Sequence, residues 1–191
     1  MVTIRIATEH DAAACHAIYA PTVLDTAITF ETELPGVAAM RQRIQARLQH
    51  YPWLIWEEAG QVLAYAYAGR FRERAAYDWI AETSIYVDAA ARRRGIARKL
   101  YGTLLETMAL QGINQAVGVI TLPGEVSVAL HESMGFEAAG VWKSAGFKLK
   151  RWWDVGVWQK QLQDMQPLPQ PVRSFPALMQ DDTLHRLLAK S

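Results

Sequence analysis

The chain is poor in the things that would place it outside ordinary globular proteins. It has one cysteine, Cys15, among 191 residues, and 20 Lys and Arg against 19 Asp and Glu. One thiol cannot close an internal disulfide, so a disulfide-stapled scaffold is excluded and a reducing compartment is expected. No stretch approaches about 18 uncharged apolar residues, so no membrane-spanning helix is expected. The start, Met1-Val-Thr-Ile-Arg-Ile, lacks a basic segment followed by an apolar run, so no signal peptide is read there. A net charge of +1 argues against a dedicated nucleic-acid binder. What the chain does have is apolar residues, at 51%. That excludes disorder, and a chain of this length buries roughly 70% of its unfolded surface. A cytoplasmic globular protein of one domain plus a tail is expected.

Periodicity orders the elements. Val2, Ile4 and Ile6 alternate with polar residues and predict a strand. Thr8 or Asp11 caps a helix carrying Ala14, Ile18 and Tyr19, with Pro21 near its end. A second helix over 37–50 buries Val37, Met40, Ile44 and Leu48 and leaves Arg41, Arg43 and Arg47 solvated. Trp53 to Glu57 and Val62 to Gly69 read as a hairpin, followed by a long strand from Trp79 to Val87. The strongest helix runs over 94–111, with Ile96, Leu100, Leu104, Leu105 and Met108 on one face. A strand over 116–122, a short helix opened by Ser127, and strands over 136–142 and 152–161 follow. Gly112–Gly118 and Gly135–Gly140 read as turns. Strands alternating with helices, then strands without helices, predict an α/β (α+β) layer structure with a mixed, mostly antiparallel sheet flanked by helices. From Asp164 the chain turns proline-rich and extended, with a last short amphipathic helix near its end.

The most informative segment joins the long strand to the strongest helix: Val87-Asp-Ala-Ala-Ala-Arg92-Arg93-Arg94-Gly95-Ile96-Ala97-Arg98. A helix entry offers free N–H groups and the positive end of the helix dipole, which attract phosphate. Gly95 lets a ligand approach the backbone, and the arginines add positive charge. An ordinary helix entry with solvated arginines has the same composition. The strand-to-helix position favours the phosphate site.

This segment resembles the acetyl-CoA pyrophosphate loop of the GNAT N-acetyltransferase superfamily. Ala76-Tyr77-Asp78-Trp79, Glu82 and Ser84-Ile85-Tyr86-Val87 narrow the resemblance to one branch. Leu130-His131-Glu132 before Met134-Gly135-Phe136 does so too, as does Ala145-Gly146-Phe147-Lys148 before Trp152-Trp153-Asp154-Val155-Gly156-Val157-Trp158-Gln159. That branch is the phosphinothricin and methionine sulfoximine/sulfone N-acetyltransferases. The resemblance runs from about residue 2 to 162, so a catalytic domain is drawn over 1–163. The tail over 164–191 lies outside it, either mobile or crossing to a partner subunit.

The resemblance implies a GNAT fold, acetyl-CoA as co-substrate and direct attack by a small amino acid's α-amine. The acceptor would be methionine sulfoximine, methionine sulfone, phosphinothricin or a similar molecule. Glu82 resembles the family's proton-accepting glutamate. A strand glutamate facing solvent is the alternative, and burial would raise its pKa into a working range. His131 matches a histidine near the acetyl group, though a packed or capping histidine is equally open. Ile85, Tyr86 and Val87 would meet the pantetheine arm through main chain. Arg93, Arg94, Gly95, Ile96, Ala97 and Arg98 would offer amides to the pyrophosphate, with Ser127 a further cofactor contact. The branch reads Leu-Pro-Asn where this chain has Leu122-Pro123-Gly124, so Gly124 takes the place of a cofactor-touching asparagine. Arg72 and Arg74 match the substrate's charged end, as a guanidinium fork suits carboxylate or phosphinate, and a loop with scattered surface charge (Arg70, Arg72, Glu73, Arg74) is the alternative. Phe30, Thr83 and Ser84 are expected beside them. His10, His16, His50 and His185 show no ligand spacing, so no metal is expected. A homodimer is implied by the family alone. The alternatives are acetylation of another amine (polyamine, peptide N-terminus or antibiotic) or a non-catalytic CoA-binding module.

Overall fold

A computed structural model describes residues 2–190. Among these residues the strands are β1 (Val2–Ile6), β2 (Trp53–Glu58), β3 (Gln61–Arg70), β4 (Ile80–Val87), β5 (Gln115–Thr121), β6 (Glu137–Lys148) and β7 (Arg151–Gln161). The α-helices are α1 (Ala12–Asp25), α2 (Val37–Leu48), α3 (Ile96–Gln111), α4 (Glu125–Ser133), α5 (Phe175–Leu178) and α6 (Asp182–Lys190). The strands form one sheet in the order β1-β2-β3-β4-β5-β7-β6. Every neighbouring pair is antiparallel except β4–β5. The expected mixed, mostly antiparallel sheet is present, with helices on both faces.

Alternation along β3 explains the two layers. Ala64, Ala66 and Ala68 face α3, and their small side chains let Leu100, Leu104 and Met108 settle close to the sheet. Tyr65 and Tyr67 point the other way, into the cluster of Cys15, Ile18, Met40 and Ile44 from α1 and α2. Each fully buried Leu, Ile or Met contributes roughly 1.5–3 kcal/mol of transfer free energy. Glycines bound α3: Gly95 and Gly112 are both left-handed, at φ 78° and 97°, a region glycine enters without the penalty a Cβ brings.

Three local readings change. Ser127 lies within α4 rather than capping it; left-handed Gly124 holds the cap position. Gly118 lies in the middle of β5 and Gly140 within β6, not in turns. β6 also runs on to Lys148, past a register shift between Trp142 and Gly146 that includes left-handed Ser144.

The segment after Asp164 folds back on its own chain. The Trp79 indole donates to the Gln170 carbonyl at 2.8 Å, and Gln111 Nε2 donates to the Arg173 carbonyl at 2.8 Å. Phe175, Leu178 and Leu184 are fully buried and pack with Ile6, Leu48 and Leu110. Proline denies this stretch a ladder, so side-chain anchors hold it. Leu184→Ala is expected to lower stability by about 2–4 kcal/mol, read as a fall in the urea midpoint at unchanged m-value.

Candidate active site

The site is organised by a pairing that stops early. β4 and β5 pair in register from Ile80–Gln115 to Thr83–Gly118 and no further, although β4 continues to Val87 and β5 to Thr121. Beyond that point each keeps only its outer neighbour, β3 or β7. The inner edge of Ser84–Val87 therefore faces a gap. The side chains of Ile85 and Val87 belong to the core under α3. The Tyr86 ring stacks on Tyr65 and meets Tyr19 edge-on, each with centroids 5.1 Å apart. These residues offer the gap main chain only.

At the end of β4 the Asp88 carboxylate accepts from Ala90 N–H and closes a turn. Arg93 and Gly95 are left-handed, at φ 63° and 78°, and α3 begins at Ile96. The N–H groups of Ile96, Ala97 and Arg98 lie in the first turn, where no intrahelical acceptor exists. The arginines divide their tasks. Arg94 Nη2 reaches both oxygens of Glu58 on β2, at 2.6 and 2.8 Å. Arg98 donates to the Ser133 carbonyl at 3.3 Å, tying α3 to the end of α4. Arg92 and Arg93 are exposed, and among the described residues neither is paired.

Gly124 supplies the left-handed entry to α4, at φ 46°. Asparagine is the other residue that visits this region readily. A Cβ here would lie 2.6 Å from Thr121 O and from Ile120 Cγ2, so a side chain at this position would require its neighbours to shift.

Two sets of side chains approach the last β4–β5 pair from opposite faces. On the α1/α2 face are Glu82 and, two residues on, Ser84. Glu82 is half-buried. Burial pushes its carboxyl above the usual range, and the charges of Arg47 and Arg72 act against that shift. Arg47 was expected in solvent. Its guanidinium instead lies over the Tyr67 ring, 5.2 Å from the centroid, and above Gly69, the register partner of Glu82. Its helix-surface position gave no signal, because the side chain crosses from α2 to the sheet. Arg74 is exposed at the start of a short helical turn over 75–77. The Phe30 ring packs on Gly146 of β6, and Lys148 Nζ donates to the Thr29 carbonyl at 2.8 Å, joining the 26–33 loop to the β6–β7 hairpin.

On the α3/α4 face, Thr83 is buried and turned away from Glu82. Its hydroxyl meets Tyr101 OH at 2.5 Å and Val117 O at 3.0 Å. Tyr101 OH lies 3.0 Å from His131 Nε2, and His131 Nδ1 lies 2.7 Å from Ser127 O. A carbonyl can only accept, so Nδ1 carries a proton. Burial pushes the imidazole below its ordinary pKa, which leaves Nε2 unprotonated. Tyr101 OH then donates to Nε2, and the single hydroxyl proton of Thr83 faces both Tyr101 OH and the Val117 carbonyl. Thr83, expected beside the substrate, instead joins this hydrogen-bonded group on the α3/α4 face. Tyr101, which helical periodicity marked only as core, is its centre.

Residues 4–157 match the family model of the acetyltransferase (GNAT) domain. The chain belongs to the GNAT acetyltransferases. It is 39% identical to a phosphinothricin N-acetyltransferase of Streptomyces viridochromogenes, over 90% of this chain and 93% of that one. It is 33% identical to an L-methionine sulfoximine/L-methionine sulfone acetyltransferase of Salmonella typhimurium, over 85% and 96%. A GNAT phosphinothricin acetyltransferase from Sinorhizobium meliloti, solved in complex with acetyl-CoA, superposes at TM-score 0.83 with 33% identity, over 91% and 98%. The fold and the N-acetyltransferase class inferred from the loop and its companion motifs stand. Among the described residues no helix is long and apolar enough to cross a membrane, and no group of three or more His, Cys, Asp or Glu is arranged to hold a metal.

Gly118 makes room for His131, since a methyl group there would overlap the imidazole. Gly118→Ala is expected to expel the ring toward water. The His131 titration, followed by NMR of the imidazole, should then rise toward that of free histidine. In the parent protein protonation of His131 opposes folding, so stability from this residue is present above the free-histidine pKa and is lost as pH falls.

Proposed function

We propose that this GNAT enzyme uses acetyl-CoA to acetylate the α-amine of a small glutamate- or methionine-like amino acid, such as methionine sulfoximine, methionine sulfone or phosphinothricin. The observation that carries the reading is Glu82. It is a desolvated carboxylate one residue before the strands part, and the charges acting on it are both arginines. The site fits the co-substrate: an unpaired strand edge at 84–87 suits an amide-bearing arm, and the entry to α3 suits a pyrophosphate. The Gly124 backbone and Ser127 lie at the start of α4.

Bound there, acetyl-CoA supplies the acetyl group as a thioester. Glu82 takes the proton from the substrate ammonium, directly or through water, so the amine attacks in its neutral form. Its raised pKa brings it closer to the amine it must deprotonate. Ser84, Phe30, Arg72 and Arg74 bind the rest of the acceptor. His131, neutral and linked through Tyr101, is the second proton-handling group, on the opposite face of the gap. Cys15 is buried with its thiol pushed up to about 12, and Glu82 serves direct transfer without an acyl-enzyme.

A cationic polyamine would call for acidic groups around Glu82, and the arginines argue against it. A module that only binds CoA has no use for a desolvated carboxylate. Exposed Val141, Trp142, Phe147 and Trp152 on the edge hairpin β6–β7 support a homodimer. A single thiol, kept reduced, supports a cytoplasmic location. The catalytic unit is residues 1–163, with the described tail residues, 164–190, packed against it.

Thiol release from acetyl-CoA is expected with at least one member of a panel of small acidic or methionine-like amino acids; silence across the panel overturns the branch assignment. In Glu82→Gln, kcat/KM is expected to fall by roughly 10²–10⁴-fold. In the parent enzyme, kcat/KM should drop as pH falls through the raised Glu82 pKa, and that limb should vanish in the variant. A pH profile across both proteins checks this.

A further inference from the structure

Arg47 sits in the last turn of α2, where a basic side chain ordinarily complements the helix dipole. Its geometry does not serve that purpose. The guanidinium donates to no carbonyl of its own helix. It crosses instead to β3, where it lies over the Tyr67 ring and above Gly69. The fit at Gly69 is specific: a Cβ built there would fall inside the guanidinium, 2.8 Å from Cζ. No other residue could occupy position 69 and leave Arg47 in place. The aromatic face and the open glycine hold a cation on the sheet without using its N–H donors.

Those donors remain available beside Glu82. Gly69 pairs with Glu82 in register, and Arg47 is the larger of the two charges acting on that carboxylate. Yet Arg47 and Glu82 form no ion pair, and among the described residues the guanidinium makes no hydrogen bond. Two neighbouring opposite charges kept from closing on each other leave a place for a molecule that carries both signs in reverse. An α-amino acid does so, with its amine and carboxylate bonded to one carbon.

We propose that Arg47, seated by Gly69 and Tyr67, receives the α-carboxylate of the acetyl acceptor, and so selects amino acids over simple amines. This rests on the amino-acid acceptor proposed above. It separates two tasks: Arg47 holds the head of the acceptor against Glu82, while Arg72 and Arg74, nearer solvent, are left for its distal end.

The test compares one accepted amino acid with its own methyl ester, which keeps the amine and loses the charge. Arg47→Gln is expected to lower kcat/KM for the acid by roughly 10- to 100-fold, mainly through KM, and to leave the ester nearly unchanged. Arg47→Lys should recover part of the loss. Gly69→Ala, which keeps the arginine but fills its seat, should show the same loss for the acid. Unchanged KM for acetyl-CoA and an unchanged melting temperature mark the variants as folded. Equal loss for acid and ester, or no loss for the acid, overturns the role of Arg47 and leaves the amino-acid acceptor standing. Turnover by the parent enzyme only of amines without an acidic group overturns both.

Discussion

The parallel pairing of β4 with β5, and its end at Thr83–Gly118, is the constraint on which the rest of the molecule depends. Up to that pair the two strands share a ladder and hold the two halves of the sheet together. After it each keeps an outer neighbour only, so the strands part without either half losing support. An unpaired strand edge is ordinarily a liability. Here it lines a gap, bounded at one end by the entry to α3 and at the other by the Glu82 carboxylate.

Both faces of the sheet are organised around that pair by alternation. Ala64, Ala66 and Ala68 bring α3 close on one side, which brings Tyr101 within reach of Thr83. Glycines make the remaining room. Gly118 admits His131, and Gly69 admits Arg47. Each is a strand position where glycine weakens the strand, and each is covered by a charged or titratable side chain from a helix packed on that face. The cost in strand propensity is offset by groups that a flat sheet could not hold.

The arginine run shows how local charge differs from functional charge. Composition concentrates positive charge at 92–94, but the folded chain commits Arg94 to Glu58 and Arg98 to a carbonyl at the end of α4. What remains for a phosphate is the backbone of the α3 entry with Arg92 and Arg93. On the other side of the sheet, Arg47 is drawn out of an apparently solvated helix face and into the site.

The fold class and the glycine at the entry to α3 were legible in the amino-acid order, because each rests on local pattern, while Glu82 and His131 became candidates through contiguous family motifs. Periods of two and 3.6, a glycine at a helix entry and contiguous family motifs survive as a string. The tertiary structure alone decided which face each residue serves. It set Thr83 away from Glu82, joined Tyr101 to His131, folded the proline-rich tail onto Ile6 and Leu110, and carried Arg47 to Gly69. These contacts link residues 18 or more positions apart, across strands whose register and end of pairing no local pattern encodes. A side chain's partner is set by packing, and packing is a property of the whole chain.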